Sequence, residues 1–79
     1  MEIAFTAGVT RQWLNLSIDV RRRLEAKLLA FAQTGKGEAK RLKGRTGSRL
    51  RAGDWRIIFY VEDNILIVTA VGHSREIYN

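Results

Sequence analysis

The strongest constraint on this chain lies in its second half. Three strand-type segments follow one another there with only three residues between them: SRLR and WRIIFYV on either side of AGD, and ILIVTAV after EDN. Residues such as Ile, Val, Phe, Tyr and Trp favour strands. Breaks this short read as hairpin turns, so the three segments form an antiparallel meander.

The first half reads differently. MEIAFT alternates Ile3 and Phe5 with small or polar neighbours and is a short strand. AGVTRQWLNL places Val9, Trp13 and Leu16 at four- and three-residue spacing, a short amphipathic helix. Ser17 then stands where an N-cap belongs, with Asp19 at the positive end of the next helix. From Ile18 to about Ala32, the residues Val20, Leu24, Leu28 and Phe31 share one stripe, while Arg21, Arg22, Glu25 and Lys27 point elsewhere. Gly35 is the expected left-handed C-cap. EAKRLKGRTG reads as a polar connector, with Leu42 as a possible strand start. The expected fold is a single α+β domain over residues 1–79, ordered β-α-α-β-β-β. Two helices pack on one face of an antiparallel sheet, and the other face is left open.

Composition narrows the class. The absence of cysteine removes disulfides and thiolate metal sites, and one histidine with few carboxylates argues against a metal site. No cofactor is expected. The opening residues lack the basic and long apolar segments of a signal peptide. ILIVTAV, the longest apolar run, is far short of the roughly 18 residues of a membrane span. The expectation is a soluble cytoplasmic protein without a membrane partner. The net charge of +6 is concentrated: Lys36 to Arg56 holds eight basic residues and two acids, eight minus two being the whole excess. Such a local field suits a polyanionic partner, against the plainer alternative of a solvated basic surface.

Arg49, Arg51 and Arg56 flank the first turn. A two-residue turn (Gly53-Asp54) or a four-residue turn (Ala52–Trp55) makes Arg51 oppose Arg56 across the strands. Leu50, Ile57 and Phe59 then face the core, and Arg49, Arg51, Arg56, Ile58 and Tyr60 face the other side. A three-residue turn would separate Arg51 from Arg56. Like charges directly opposite in a sheet are destabilising. Guanidinium forks, however, match phosphate oxygens in bidentate geometry, and Tyr60 offers a ring on which a base can stack. The open face therefore reads as a surface for an RNA or DNA backbone. The alternative is surface pairing of Arg49 or Arg51 with Glu62, Asp63 or Glu76, worth about 0–1 kcal/mol each. The C-terminal VGHSREIYN gathers His73, Ser74, Arg75, Glu76 and Tyr78. His73 has the only side chain that ordinarily titrates near neutrality, and it reads as either structural or catalytic. No Ser-His-Asp set, phosphate-binding glycine loop or carboxylate pair is visible.

The stretch RLKG…GSRLRAGDWRIIFYVEDNILIVTAVGHSREIYN resembles the RelE/ParE superfamily of type II toxins. The resemblance rests on Leu42-Lys43-Gly44, Arg49-Leu50-Arg51, Gly53-Asp54-Trp55-Arg56, Val71-Gly72-His73 and Glu76-Ile77-Tyr78. It implies a toxin held inactive by a cognate antitoxin. Its RelE branch implies a ribosome-dependent endoribonuclease that cuts mRNA in the ribosomal A site. By position, Arg56 matches the family's central-strand Arg, Arg49 a basic residue of the preceding strand, and Tyr78 the C-terminal Tyr. The resemblance implies Arg49, Arg56 and Tyr78 as catalytic residues, and by residue chemistry His73 or Tyr78 is expected to handle the protons. Arg51, Arg75, Lys43 and Tyr60 are the expected substrate contacts. Two departures matter. Ser74 stands where many active members have Arg, and Arg75 replaces it only if the tail shifts by one residue. Gly47 stands where some members carry a strand lysine. The chain ends just after Tyr78, so no C-terminal helix is expected to shape the site. The alternatives are a ParE-like inhibitor of DNA gyrase without nuclease activity, and a degenerate toxin that binds its antitoxin and, as a complex, operator DNA.

Overall fold

The computed structural model describes residues 1–77. The chain runs β1 (Glu2–Phe5), α1 (Ala7–Leu14), α2 (Ile18–Thr34), β2 (Glu38–Arg41), β3 (Ser48–Ala52), β4 (Trp55–Glu62), β5 (Ile65–His73) and a single turn, α3 (Ser74–Ile77). The α+β class and the β3-β4-β5 meander are as the sequence implies.

The helices begin and end where local chemistry directs. Thr6 accepts the Val9 amide at the start of α1 (3.4 Å), and Ser17 accepts the Val20 amide at the start of α2 (3.3 Å). Asp19 occupies the first turn of α2, and Gly35 closes it at φ +73°, donating its amide to Phe31. Leu16 falls beyond α1, in the link to α2, but still packs against the core. The two hairpin turns obey the two-residue rules. Gly53 has φ +62° in the first, while Asp63 and Asn64 both have positive φ in the second.

Three expectations are corrected. First, the sheet is mixed: its order is β1-β5-β4-β3-β2, and β1 runs parallel to β5, Ile3 beside Leu66. That pairing joins segments some sixty residues apart and leaves no local signature. Second, the connector holds a strand before Leu42, not from it. Glu38–Arg41 pairs antiparallel with β3, and Leu42 turns out of the sheet. An edge strand needs no apolar run, so a polar segment serves. Third, the C-terminal residues Ser74–Ile77 do form a helical turn.

The core lies between the helices and one sheet face. Val9, Leu24 and Leu28 meet Leu50, Ile57, Phe59, Leu66, Val68 and Val71, with Phe31 edge-on to Phe59 at 5.2 Å. Each fully buried Leu or Ile contributes about 1.5–3 kcal/mol by leaving water. In β5 the buried positions step from Val68 to Val71, which strict alternation forbids. A bulge resolves this: Ile58 pairs with Ala70 and Phe59 with Val68, leaving Thr69 as the extra residue. The opposite face carries Lys40, Arg49, Arg51, Arg56, Ile58, Tyr60 and Ile67 and has neither long helix on it. The turn α3 reaches it at one point, where Ile77 lies against Gly72.

Candidate nucleic-acid interface

The Gly53-Asp54 turn is closed by Ala52 and Trp55, and Arg51 stands directly opposite Arg56. The register therefore puts Arg49, Arg51 and Arg56 on the open face. Strand β2 extends the cluster, because Lys40 pairs with Arg49 and Glu38 with Arg51. Together these five side chains line a shallow depression of about 150 Å³. Four cations against one carboxylate leave a net charge of +3 there. A second, larger groove of about 550 Å³ adjoins it at the β2–β3 loop. Lys40, Arg41, Leu42, Lys43, Arg45 and Arg49 line it, with no acid among them. Lys40 and Arg49 belong to both, so the cationic track is continuous.

Two of the arginines have identified partners. Arg51 Nε lies 3.8 Å from Glu38 Oε2, both side chains well exposed. Such a pair is worth about 0–1 kcal/mol and yields readily to a better ligand. The partner is Glu38, not Glu62, Asp63 or Glu76, because β2 was hidden in the polar connector. Arg56 folds back on its own turn, Nη1 donating to Gly53 O at 2.7 Å and Trp55 O at 2.8 Å. The β2–β3 loop is closed by the Leu42 amide donating to Gly47 O at 3.0 Å. Gly47 has φ +116°, and a Cβ there would lie 2.9 Å from Phe59 O, so only glycine fits.

The remaining expected site residues divide. Lys43 lines the loop groove. Tyr60 shares the arginine face, but four residues along β4 from Arg56 it stands about 13 Å away. It lines a separate hollow with Arg41, Gly47 and Phe59, outside the arginine depression. His73 is not brought together with the arginines. It pairs with Trp55, whereas Gly72 pairs with Arg56, so the imidazole projects from the opposite face to the arginines. Its ring meets Trp55 edge-on at 5.7 Å, and its Nδ1 accepts the Arg75 amide at 3.2 Å. The exposed Arg75 sits in α3. Tyr78 lies outside the described residues. Ser74 donates its amide to Asp54 O at 2.8 Å, tying α3 to the β3–β4 turn. Residues missed by the sequence reading are Glu38 and Lys40. Their alternation in EAKR was the available signal, masked by its polarity. Among the described residues no group of three His, Asp or Glu converges as a metal site, and no helix is long and apolar enough to cross a membrane.

The small domain thus sets two helices on one sheet face and a continuous cationic track on the other. The family model described as the ParE toxin of type II toxin-antitoxin systems, parDE, matches residues 5–78, and the chain belongs to that family. Its fold is that of the wider RelE/ParE superfamily. It is similar to RelE in the intact RelBE toxin-antitoxin complex of E. coli, at 26% identity, 91% of this chain, 94% of that one and TM-score 0.76. In the RelB-RelE complex of Methanococcus jannaschii the values are 20%, 96%, 95% and 0.76. For the YoeB-YefM complex of Staphylococcus aureus they are 14%, 92%, 95% and 0.77. No curated protein matches the sequence significantly.

Proposed function

We propose that this protein is the toxin of a type II toxin-antitoxin pair and cleaves mRNA on the ribosome, with the scissile phosphate held against β3 and β4. The observation that carries the reading is the depression formed by Lys40, Arg49, Arg51 and Arg56. In-line cleavage forms a bond from the ribose 2′-oxygen to phosphorus and breaks the bond to the 5′-oxygen. The proton of the 2′-hydroxyl is removed, and another is delivered to the leaving oxygen. Arginine remains protonated throughout, so Arg49, Arg51 and Arg56 stabilise the pentacoordinate phosphate and do not carry protons. With His73 on the other face, the resemblance leaves Tyr78 for proton transfer. Lys43 and the loop groove extend the grip to the neighbouring backbone.

Two of the solved relatives, from Methanococcus jannaschii and E. coli, are toxin-antitoxin complexes. By the same logic a cognate antitoxin covers this cationic face with an acidic segment that folds on binding, in the cytoplasm where translation occurs. A second reading, inhibition of DNA gyrase, is favoured by the ParE family match and by Ser74 at the position of the family Arg. The test is 5′-end mapping of a defined mRNA in a bacterial cell-free translation extract, alongside Arg56→Ala and a translation-blocked sample. New ends that require both translation and Arg56 support the nuclease. Their absence, with loss of gyrase supercoiling activity, supports the second reading.

A further inference from the structure

We propose that His73 is a positioning residue: its imidazole caps the C-terminal turn α3 and so sets where that turn stands beside Arg56. Its functional consequence rests on the nuclease reading above, whereas its structural part does not.

His73 ends β5 and immediately precedes the first residue of α3. Its Nδ1 accepts the amide of Arg75, the second residue of the turn, at 3.2 Å. That is the bond an N-cap side chain makes, a task usually performed by Asn, Asp, Ser or Thr. A backbone N–H can only donate, so Nδ1 must carry no proton and the neutral ring must hold its hydrogen on Nε2. The same ring meets Trp55 edge-on at 5.7 Å, and Trp55 packs against the core. An acceptor at the Nδ1 position and an aromatic wedge are both needed, and histidine supplies them together.

The cap matters because of what it holds. The next amide back, that of Ser74, donates to Asp54 O at 2.8 Å. The carbonyls on either side of Asp54, those of Gly53 and Trp55, accept from Arg56 Nη1. Three consecutive carbonyls of one turn thus tie the start of α3 and the Arg56 guanidinium to a common frame. From there the chain crosses to the arginine face, where Ile77 lies against Gly72, opposite Arg56. Tyr78 follows directly in sequence. His73 works from the helix-side face, yet it holds the turn that carries Ile77 to the arginine face.

The test combines imidazole 15N NMR on the wild-type protein with three variants, His73→Asn, His73→Phe and His73→Ala. The expected signature is a neutral ring protonated on Nε2. Because the cap bond is lost in Phe and Ala, Arg75 amide exchange should accelerate about tenfold in both, while Asn, whose carboxamide oxygen replaces Nδ1, retains most of the protection. In the cell-free cleavage assay, Phe and Ala should lower kcat about tenfold with KM for RNA within about twofold, and Asn should recover activity. A ring protonated on Nδ1 would overturn the proposal, as would a Phe variant with wild-type Arg75 protection. If the wild-type protein cleaves nothing, the nuclease reading falls, while the tautomer and amide protection still decide whether His73 caps the turn.

Discussion

Arg51 stands directly opposite Arg56 across the β3–β4 hairpin, yet each guanidinium is engaged elsewhere, Arg51 with Glu38 and Arg56 with the carbonyls of Gly53 and Trp55. Two cations facing each other in a sheet cost some tenths of a kcal/mol, and these contacts offset part of that repulsion. The arrangement leaves two charges poised over one depression. Under the proposed nuclease function, a phosphate entering there would meet donors from both strands.

Arg56→Ala should therefore have two separable effects. Losing two hydrogen bonds to the turn should destabilise the fold by about 1 kcal/mol, read by urea unfolding. Losing a charge-assisted contact to phosphate should reduce cleavage by about 10- to 100-fold. Arg56→Lys keeps the charge but not the planar fork, and should fall between the two.

Binding of a short single-stranded RNA should weaken with salt in proportion to the phosphates neutralised. With about six contacts, from the depression together with Lys43 and Arg45, the slope of log K against log salt should be about −4, following −0.7 per contact. Lys43→Gln with Arg45→Gln should make the slope shallower by about 1.4. Glu38→Gln should instead tighten binding, because it removes the one carboxylate in the depression. Fluorescence anisotropy across a salt series measures all three.

The glycines of the β2–β3 loop should differ in cost. Gly44→Ala meets open space and pays only for its positive φ of +73°, about 1 kcal/mol. Gly47→Ala adds a Cβ 2.9 Å from Phe59 O at φ +116°, and should cost about 2–3 kcal/mol. Thermal melts of the two variants compare them directly.

Ile57 and Ile58 are adjacent, on opposite faces of β4, and both buried. Ile57→Ala opens a cavity in the core beneath the helices and should cost about 3–4 kcal/mol. Ile58 lies outside that core, on the arginine face between Arg49 and Ala70. Water can partly fill the gap left by Ile58→Ala, so about 1–2 kcal/mol is expected. Denaturant midpoints distinguish the two faces.

Most of the local architecture is legible in the residues themselves. Ser17, Gly35 and the Gly53-Asp54 turn each act through their own backbone neighbourhood, and each appears where its chemistry directs. The facing of Arg51 and Arg56 was left open between turn lengths, and the two-residue turn of the structure decides it. Hidden from that reading were relationships between distant segments. β1 lies parallel to β5 because the two helices between β1 and β2 carry the chain over the sheet face. β2 forms because the edge of β3 offers hydrogen bonds to whatever polar segment returns beside it. His73 makes the same point for the site. Read from sequence it was either structural or catalytic, and alternation along β5 turns Gly72 toward Arg56 and the imidazole toward Trp55. The sequence alone determines which residues turn, cap and pair with near neighbours, because those energies act within a few residues. Which face a side chain presents to a distant partner is decided only by tertiary structure, where strand register and the bulge at Thr69 combine over the whole sheet.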